Sequence, residues 1–179
     1  MSALLLVDAE FAVDLVHVKR VAENQDDEDD DRTLLGEPEA EIGYTDGKTY
    51  DVVIGLTSAT ATTNVARLEG FKEAVASTYP GIQIKDVAYS ESNPEKAATN
   101  VNNWLTKYPN LAGIFAIDGT NASGAAAALE AKGLVGKVGL VGYDAYPDNV
   151  AKIKSGIFTA LIAQDPAAEA RLAVKTLVT

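Results

Sequence analysis

Between Lys137 and Pro166 the chain reads KVGLVGYDAYPDNVAKIKSGIFTALIAQDP: two short apolar runs separated by a polar turn and a helix-like segment. The first run delivers Asp144, the second Gln164 and Asp165. A carboxylate accepts hydrogen bonds from hydroxyls, and an amide both donates and accepts. In open parallel α/β sheets, ligands bind just beyond the carboxyl ends of the strands. Two more runs end in the same way. DVVIGL (51–56) leads into the polar TSATATTN and then Arg67, and AGIFA leads into Asp118, Gly119, Thr120 and Asn121. One sheet edge would then carry a guanidinium, two carboxylates, two amides and nearby hydroxyls, a set suited to a polyhydroxylated neutral ligand.

Each of these residues also has a plainer reading. Arg67 could pair with Glu69 or Glu73 on a helix surface, and Asp144 could cap the turn at Tyr146-Pro147. Asp118-Gly119 could be only a turn, and Gln164 a loop residue. Trp104 shares a helix face with Val101 and Leu105, which favours core packing. His17, the sole histidine, has no acid or nucleophile patterned around it. Serine or threonine nucleophiles would want such a base, and no nucleophile elbow, phosphate loop or dinucleotide fingerprint occurs. A carboxylate pair could in principle cleave a glycosidic bond, but the sequence around Asp118 and Asp144 shows no apolar setting that would split their pKa values. The reading is a binding protein without catalytic residues, metal or cofactor.

The elements that must position this set follow from periodicity. DVVIGL, IQIKDVAY, AGIFAID, VGLVGYD and IFTALIAQ are apolar runs typical of buried parallel strands. Helical segments alternate with them. NPEKAATNVNNWLTKYP opens with an Asn cap and Pro at the first helical position, and NASGAAAALEAKG closes at Gly133. Five strands separated by helices imply an α/β fold with a doubly wound parallel sheet over residues 45–179.

Residues 1–44 differ in kind. From Val7 to Val21 apolar residues fall mainly on odd positions, the period of a half-buried strand, and the density of valine supports that over a helix. TLLGEPEAEIGY supplies a second strand interrupted by Pro38. The expectation is an N-terminal β-ribbon, a long hairpin whose tip is an acidic disordered loop at 23–32. Seven of the acids lie in ENQDDEDDD, so this run carries much of the net charge of −11. It lacks the alternation and central glycine of a calcium loop. No Lys/Arg cluster suits nucleic acid or an anionic membrane. The absence of cysteine excludes disulfides and thiolate sites. ALLLV at the start is too short to span a membrane and has no export-signal flanks, which points to a cytoplasmic location for the chain as written.

NVARLEGFKEAV, NLAGIFAIDGTNASGAAAAL, KVGLVGYDAYPDNVAKIKSG and TALIAQDP resemble, in order and spacing, the second lobe of periplasmic sugar-binding proteins, the ribose- and galactose-type components of ABC importers. The resemblance covers about residues 48–179. It implies a Rossmann-like lobe of the type 1 fold, a periplasmic location, a small sugar as ligand, and sugar contacts at Arg67, Asp118, Asp144 and Gln164. Strand three usually ends in Asn-Asp in that family but in Ile-Asp-Gly here, which brings Asn121 forward as a substitute. Such proteins close two lobes on a sugar, and residues 1–44 do not resemble the first lobe. The expectation is a truncated lobe or engineered chimera with weak or lost sugar binding, its last helix packing elsewhere than on a first lobe. The alternative is a structural or self-associating module in which the N-terminal ribbon completes the half-protein, with a homo-oligomer formed through an exposed sheet edge or bare lobe face. A response-regulator-like domain would need a Lys after the last strand, where Gln164 and Asp165 stand.

Overall fold

The computed structural model describes residues 3–7, 47–164 and 166–177. It contains β1 (Ala3–Val7), β2 (Tyr50–Leu56), α1 (Thr62–Thr78), β3 (Ile82–Tyr89), α2 (Pro94–Lys107), β4 (Leu111–Ala116), α3 (Gly119–Lys132), β5 (Gly139–Tyr143), α4 (Pro147–Lys154), β6 (Ala160–Gln164) and α5 (Pro166–Leu177). The strands form one sheet in the order β1-β6-β5-β4-β2-β3, and every neighbouring pair is parallel. From β2 the chain steps outward to β3, then returns across β2 to β4, β5 and β6. The winding therefore reverses between β2 and β4, and the crevice at their carboxyl ends is where such a sheet receives a ligand.

Two apolar layers sandwich the sheet. On one side Leu68 and Phe71 of α1 pack with Ile54, Leu56, Phe115 and Ile117, and the rings of Phe71 and Phe115 stack at 4.8 Å. On the other, Val101 and Trp104 of α2, Ala122 to Leu129 of α3, and Ile153 and Phe158 cover Val53, Ile114, Leu140 and Leu161. Trp104 is a core residue, as its helical spacing requires. The small residues of α3 serve close approach. A Cβ on Gly124 would lie 2.5 Å from the Pro94 carbonyl oxygen and 2.6 Å from the Ala97 Cβ, so only glycine lets α2 and α3 touch there.

The helix ends obey their sequence signals. Asn93 Oδ1 accepts from the Lys96 amide at 2.9 Å with Pro94 at the first helical turn, and Gly133 ends α3 at φ 63°. Two points differ from the sequence reading. α3 begins at Gly119 rather than Asn121, because Asp118 caps it, its Oδ1 accepting from the Asn121 amide at 2.9 Å. A sixth strand, β1, is formed by the ALLLV run; it runs parallel to β6 with Ala3 opposite Ala160 and Val7 opposite Gln164. On α5, Leu172, Val174 and Leu177 are exposed, so the described residues leave an apolar face of this helix uncovered. The hairpin expected from Val7 onward and its acidic tip lie outside the described residues. No helix of the described residues is long and apolar enough to cross a membrane.

Candidate functional site

The loops that follow β2, β4, β5 and β6 open on the same edge of the sheet. Thr57 follows β2 directly, and its hydroxyl donates to Asp118 Oδ2 at 2.9 Å across the crevice where the winding reverses. Asn64, in the first turns of α1 and only 5% exposed, donates to the same oxygen at 3.1 Å. The Asn121 side-chain amide lies 2.9 Å from both Asp118 oxygens and also donates to buried Ser90 Oγ at 2.9 Å. A carboxylate has about four lone-pair sites. Two donors from Asn121 and one each from Thr57 and Asn64 therefore fill Asp118.

Asp144 is the opposite case. Its backbone has φ 67°, in the left-handed region that few residues other than glycine enter and that Asp tolerates better than most. The main chain is pinned on both sides: its N–H donates to Ile162 O at 2.8 Å, and its carbonyl accepts from Asn149 Nδ2 at 3.3 Å. Asn149 is buried, so this clamp is part of the core. The carboxylate accepts from the Gly119 amide at 3.1 Å through Oδ2 and from Gln164 Nε2 at 2.7 Å through Oδ1. It thus faces the amino terminus of α3, where the helix dipole favours negative charge. Two bonds leave room on this carboxylate for ligand hydroxyls. The Gln164 side chain is exposed, and its carbonyl has no partner among the described residues. The capping role open to the Asp144 carboxylate in the sequence is not taken up. Tyr146 stands at the amino-terminal cap of α4, which has no side-chain cap bond.

Arg67 projects from α1 over the neighbouring strands. One N–H donates to Ile117 O at 3.0 Å, and the guanidinium lies 4.0 Å from the centre of the Tyr143 ring. It forms no ion pair with Glu69, whose partner is Lys72 at 2.9 Å. A guanidinium carries more donors than one carbonyl uses. Burial pushes the Tyr143 phenol above its ordinary value and the Asp144 charge adds to this, against a partial offset from Arg67.

Of the five residues singled out in the sequence, Arg67, Asp144 and Gln164 keep hydrogen-bonding capacity on one edge that the described residues do not fill. Asp118 stands between them but is filled by its neighbours. Asn121 is 3% exposed and its amide holds Asp118 and Ser90, so the structure places it beneath the edge rather than on it. Asn64, Ser90 and Asn149 were not legible as parts of the site. Their only signal is a polar side chain in a segment that otherwise reads as helix or loop. The described residues contain no group of three or more His, Asp or Glu that could hold a metal.

Comparison with known proteins decides the family. The periplasmic binding protein domain matches residues 39–179, more than half of the chain. The chain belongs to the periplasmic binding protein family. Among its relatives in that family, the D-allose-binding periplasmic protein of Escherichia coli (strain K12) is 34% identical over 135 residues, which are 74% of this chain and 39% of the relative. A periplasmic solute-binding protein of an ABC transporter from Actinobacillus succinogenes 130z, solved with bound D-allose, is 32% identical. It has a TM-score of 0.67 and covers 74% of this chain and 47% of its own. GanP, a glucose-galactose binding protein from Geobacillus stearothermophilus, is 26% identical, again with a TM-score of 0.67 over 73% of this chain and 46% of its own. The chain thus spans less than half the length of these periplasmic binding proteins. These relatives are sugar-binding proteins by name or by bound ligand, and the fold of the two solved structures is that of the α/β sheet described above.

Proposed function

We propose that this chain is a non-enzymatic carbohydrate-binding lobe of the substrate-binding component of an ABC sugar importer. The ligand is a neutral monosaccharide held at the carboxyl edge of the sheet. Arg67 donates to a ring or hydroxyl oxygen, Asp144 accepts from hydroxyls, and Gln164 accepts through its side-chain carbonyl. Asp118, with Asn121 beneath it, positions the crevice between β2 and β4. The observation that carries this reading is Asp144. A carboxylate is held in a left-handed backbone conformation by a buried Asn, faces a helix amino terminus, and still has room to accept.

The described residues supply one wall of such a site, so water competes for every one of these groups. A hydrogen bond exchanged against water contributes little net energy. The chain alone is therefore expected to bind pentoses and hexoses in the millimolar range, about −4 kcal/mol. Calorimetry with a sugar panel checks this, and micromolar binding by the monomer would contradict the one-walled site.

A second reading is favoured by β1, which pairs in parallel along β6 and extends the sheet. In that reading the N-terminal segment completes the fold as a structural or self-associating module. Removing residues 1–44 would then bare the β6 edge and produce a species that self-associates or loses cooperative unfolding. A remainder that stays monomeric in size-exclusion chromatography and unfolds cooperatively would rule this reading out.

A further inference from the structure

Tyr146 is a large aromatic residue left 52% exposed beside the site. It rests on Gly119, the first residue of α3. A Cβ built on that glycine would lie 2.5 Å from Tyr146 Cε2, 2.9 Å from Cζ and 3.0 Å from Asp144 Oδ2. The missing side chain of Gly119 is therefore the seat for the tyrosine ring, and the same glycine donates its amide to Asp144. The backbone of Tyr146 is fixed as well. It is the amino-terminal cap residue of α4, which Pro147 begins, and its carbonyl accepts from the Val150 amide at 2.9 Å. One part of the ring is seated and the rest stands in solvent next to an accepting carboxylate.

We infer that Tyr146, seated on Gly119, is a stacking platform that makes the site prefer the cyclic pyranose form of its ligand over open-chain polyols. The inference rests on the sugar-binding reading above. A pyranose presents hydroxyls around its rim and a patch of C–H groups on a face. Asp144, Gln164 and Arg67 serve the rim, whereas none of them can serve the apolar face. An aromatic ring at the edge of that set does so, and it excludes water from the neighbouring Asp144 bonds. An alditol offers the same hydroxyls without a rigid apolar face, so it gains nothing from the ring.

The test compares D-allose with its open-chain alditol by following backbone amide shifts in a titration at millimolar ligand. The unaltered chain should bind D-allose more tightly than the alditol. Tyr146→Ala should weaken D-allose binding about three- to tenfold, the range of a single aromatic contact, and leave the alditol unchanged. Tyr146→Phe should keep the preference, because the ring and not the hydroxyl carries it. Equal D-allose affinity in Tyr146→Ala and the unaltered chain overturns the inference. If Asp144→Ala abolishes binding in that same experiment, the sugar site itself stands and only the platform falls. Absence of any saturable shift in the unaltered chain overturns both.

Discussion

Asp118→Ala is expected to cost about 2–4 kcal/mol of folding stability, one of the two largest effects of any single change near the site. Two losses add. α3 loses its amino-terminal cap, since Asp118 Oδ1 accepts from the Asn121 amide, which is worth about 1 kcal/mol. The buried Asn64 amide and the Thr57 hydroxyl then lose their acceptor, and a buried unpaired donor costs about 1–3 kcal/mol. Asn121 retains Ser90 as a partner, which limits the damage. Asp118→Asn keeps one accepting oxygen and should lose about half as much. Urea denaturation followed by circular dichroism measures both. A loss below about 0.5 kcal/mol for Asp118→Ala would mean that Asp118 is not the hub of this crevice.

Gly124→Val is expected to be at least as damaging, about 3 kcal/mol or more. The new Cβ would meet the Pro94 carbonyl oxygen at 2.5 Å, the Ala97 Cβ at 2.6 Å and the Ala98 nitrogen at 3.0 Å, so two of the three obstructions are α2 backbone. Backbone cannot rotate aside, and the two helices must separate over a core that includes Val101, Trp104 and Leu129. Two controls isolate the cause. Ala127→Val on the exposed face of α3 should cost only the β-branched helix penalty, below about 1 kcal/mol. Gly119→Ala meets the half-exposed Tyr146 ring and the Asp144 carboxylate, side chains instead of backbone, and should also stay below about 1 kcal/mol. Thermal denaturation of the three variants gives the order directly. Gly124→Val no worse than the controls would show that α2 and α3 are free to slide.

The periodic parts of this fold were legible in the sequence for a simple reason. DVVIGL, LAGIFA, GLVGY and ALIAQ are buried on a sheet with helices on its faces, so each is apolar by necessity and ends where the polar edge begins. That boundary alone brought Arg67, Asp144 and Gln164 to one edge. What periodicity could not convey is which polar groups pair with one another. Asp118 and Asn121 carry the same chemistry as Asp144 and Gln164. Only the three-dimensional bonds to Thr57, Asn64 and Ser90 show that the former pair is internally satisfied. The seating of Tyr146 on Gly119 joins residues 27 positions apart through the absence of an atom, which no local pattern encodes. β1 was missed for a related reason. ALLLV is apolar enough for a strand, but its pairing with β6 spans almost the whole chain.

The arrangement of the edge suggests a division of labour. Buried Asn64, Asn121 and Asn149 hold Asp118 and the Asp144 backbone in place, while Arg67, Asp144 and Gln164 keep the capacity that the proposed sugar site would use. Fixing these groups before the ligand arrives lowers the entropy of binding that each would otherwise cost.

The most direct test is a two-dimensional amide NMR titration of the chain with D-allose, run in parallel on Asp144→Ala. The account predicts saturable millimolar shifts confined to the carboxyl edge, around Thr57 to Arg67, Asp118 to Asn121, Tyr143 to Tyr146 and Gln164, and their loss in Asp144→Ala. Shifts that map elsewhere on the sheet, or that persist unchanged in Asp144→Ala, would contradict it.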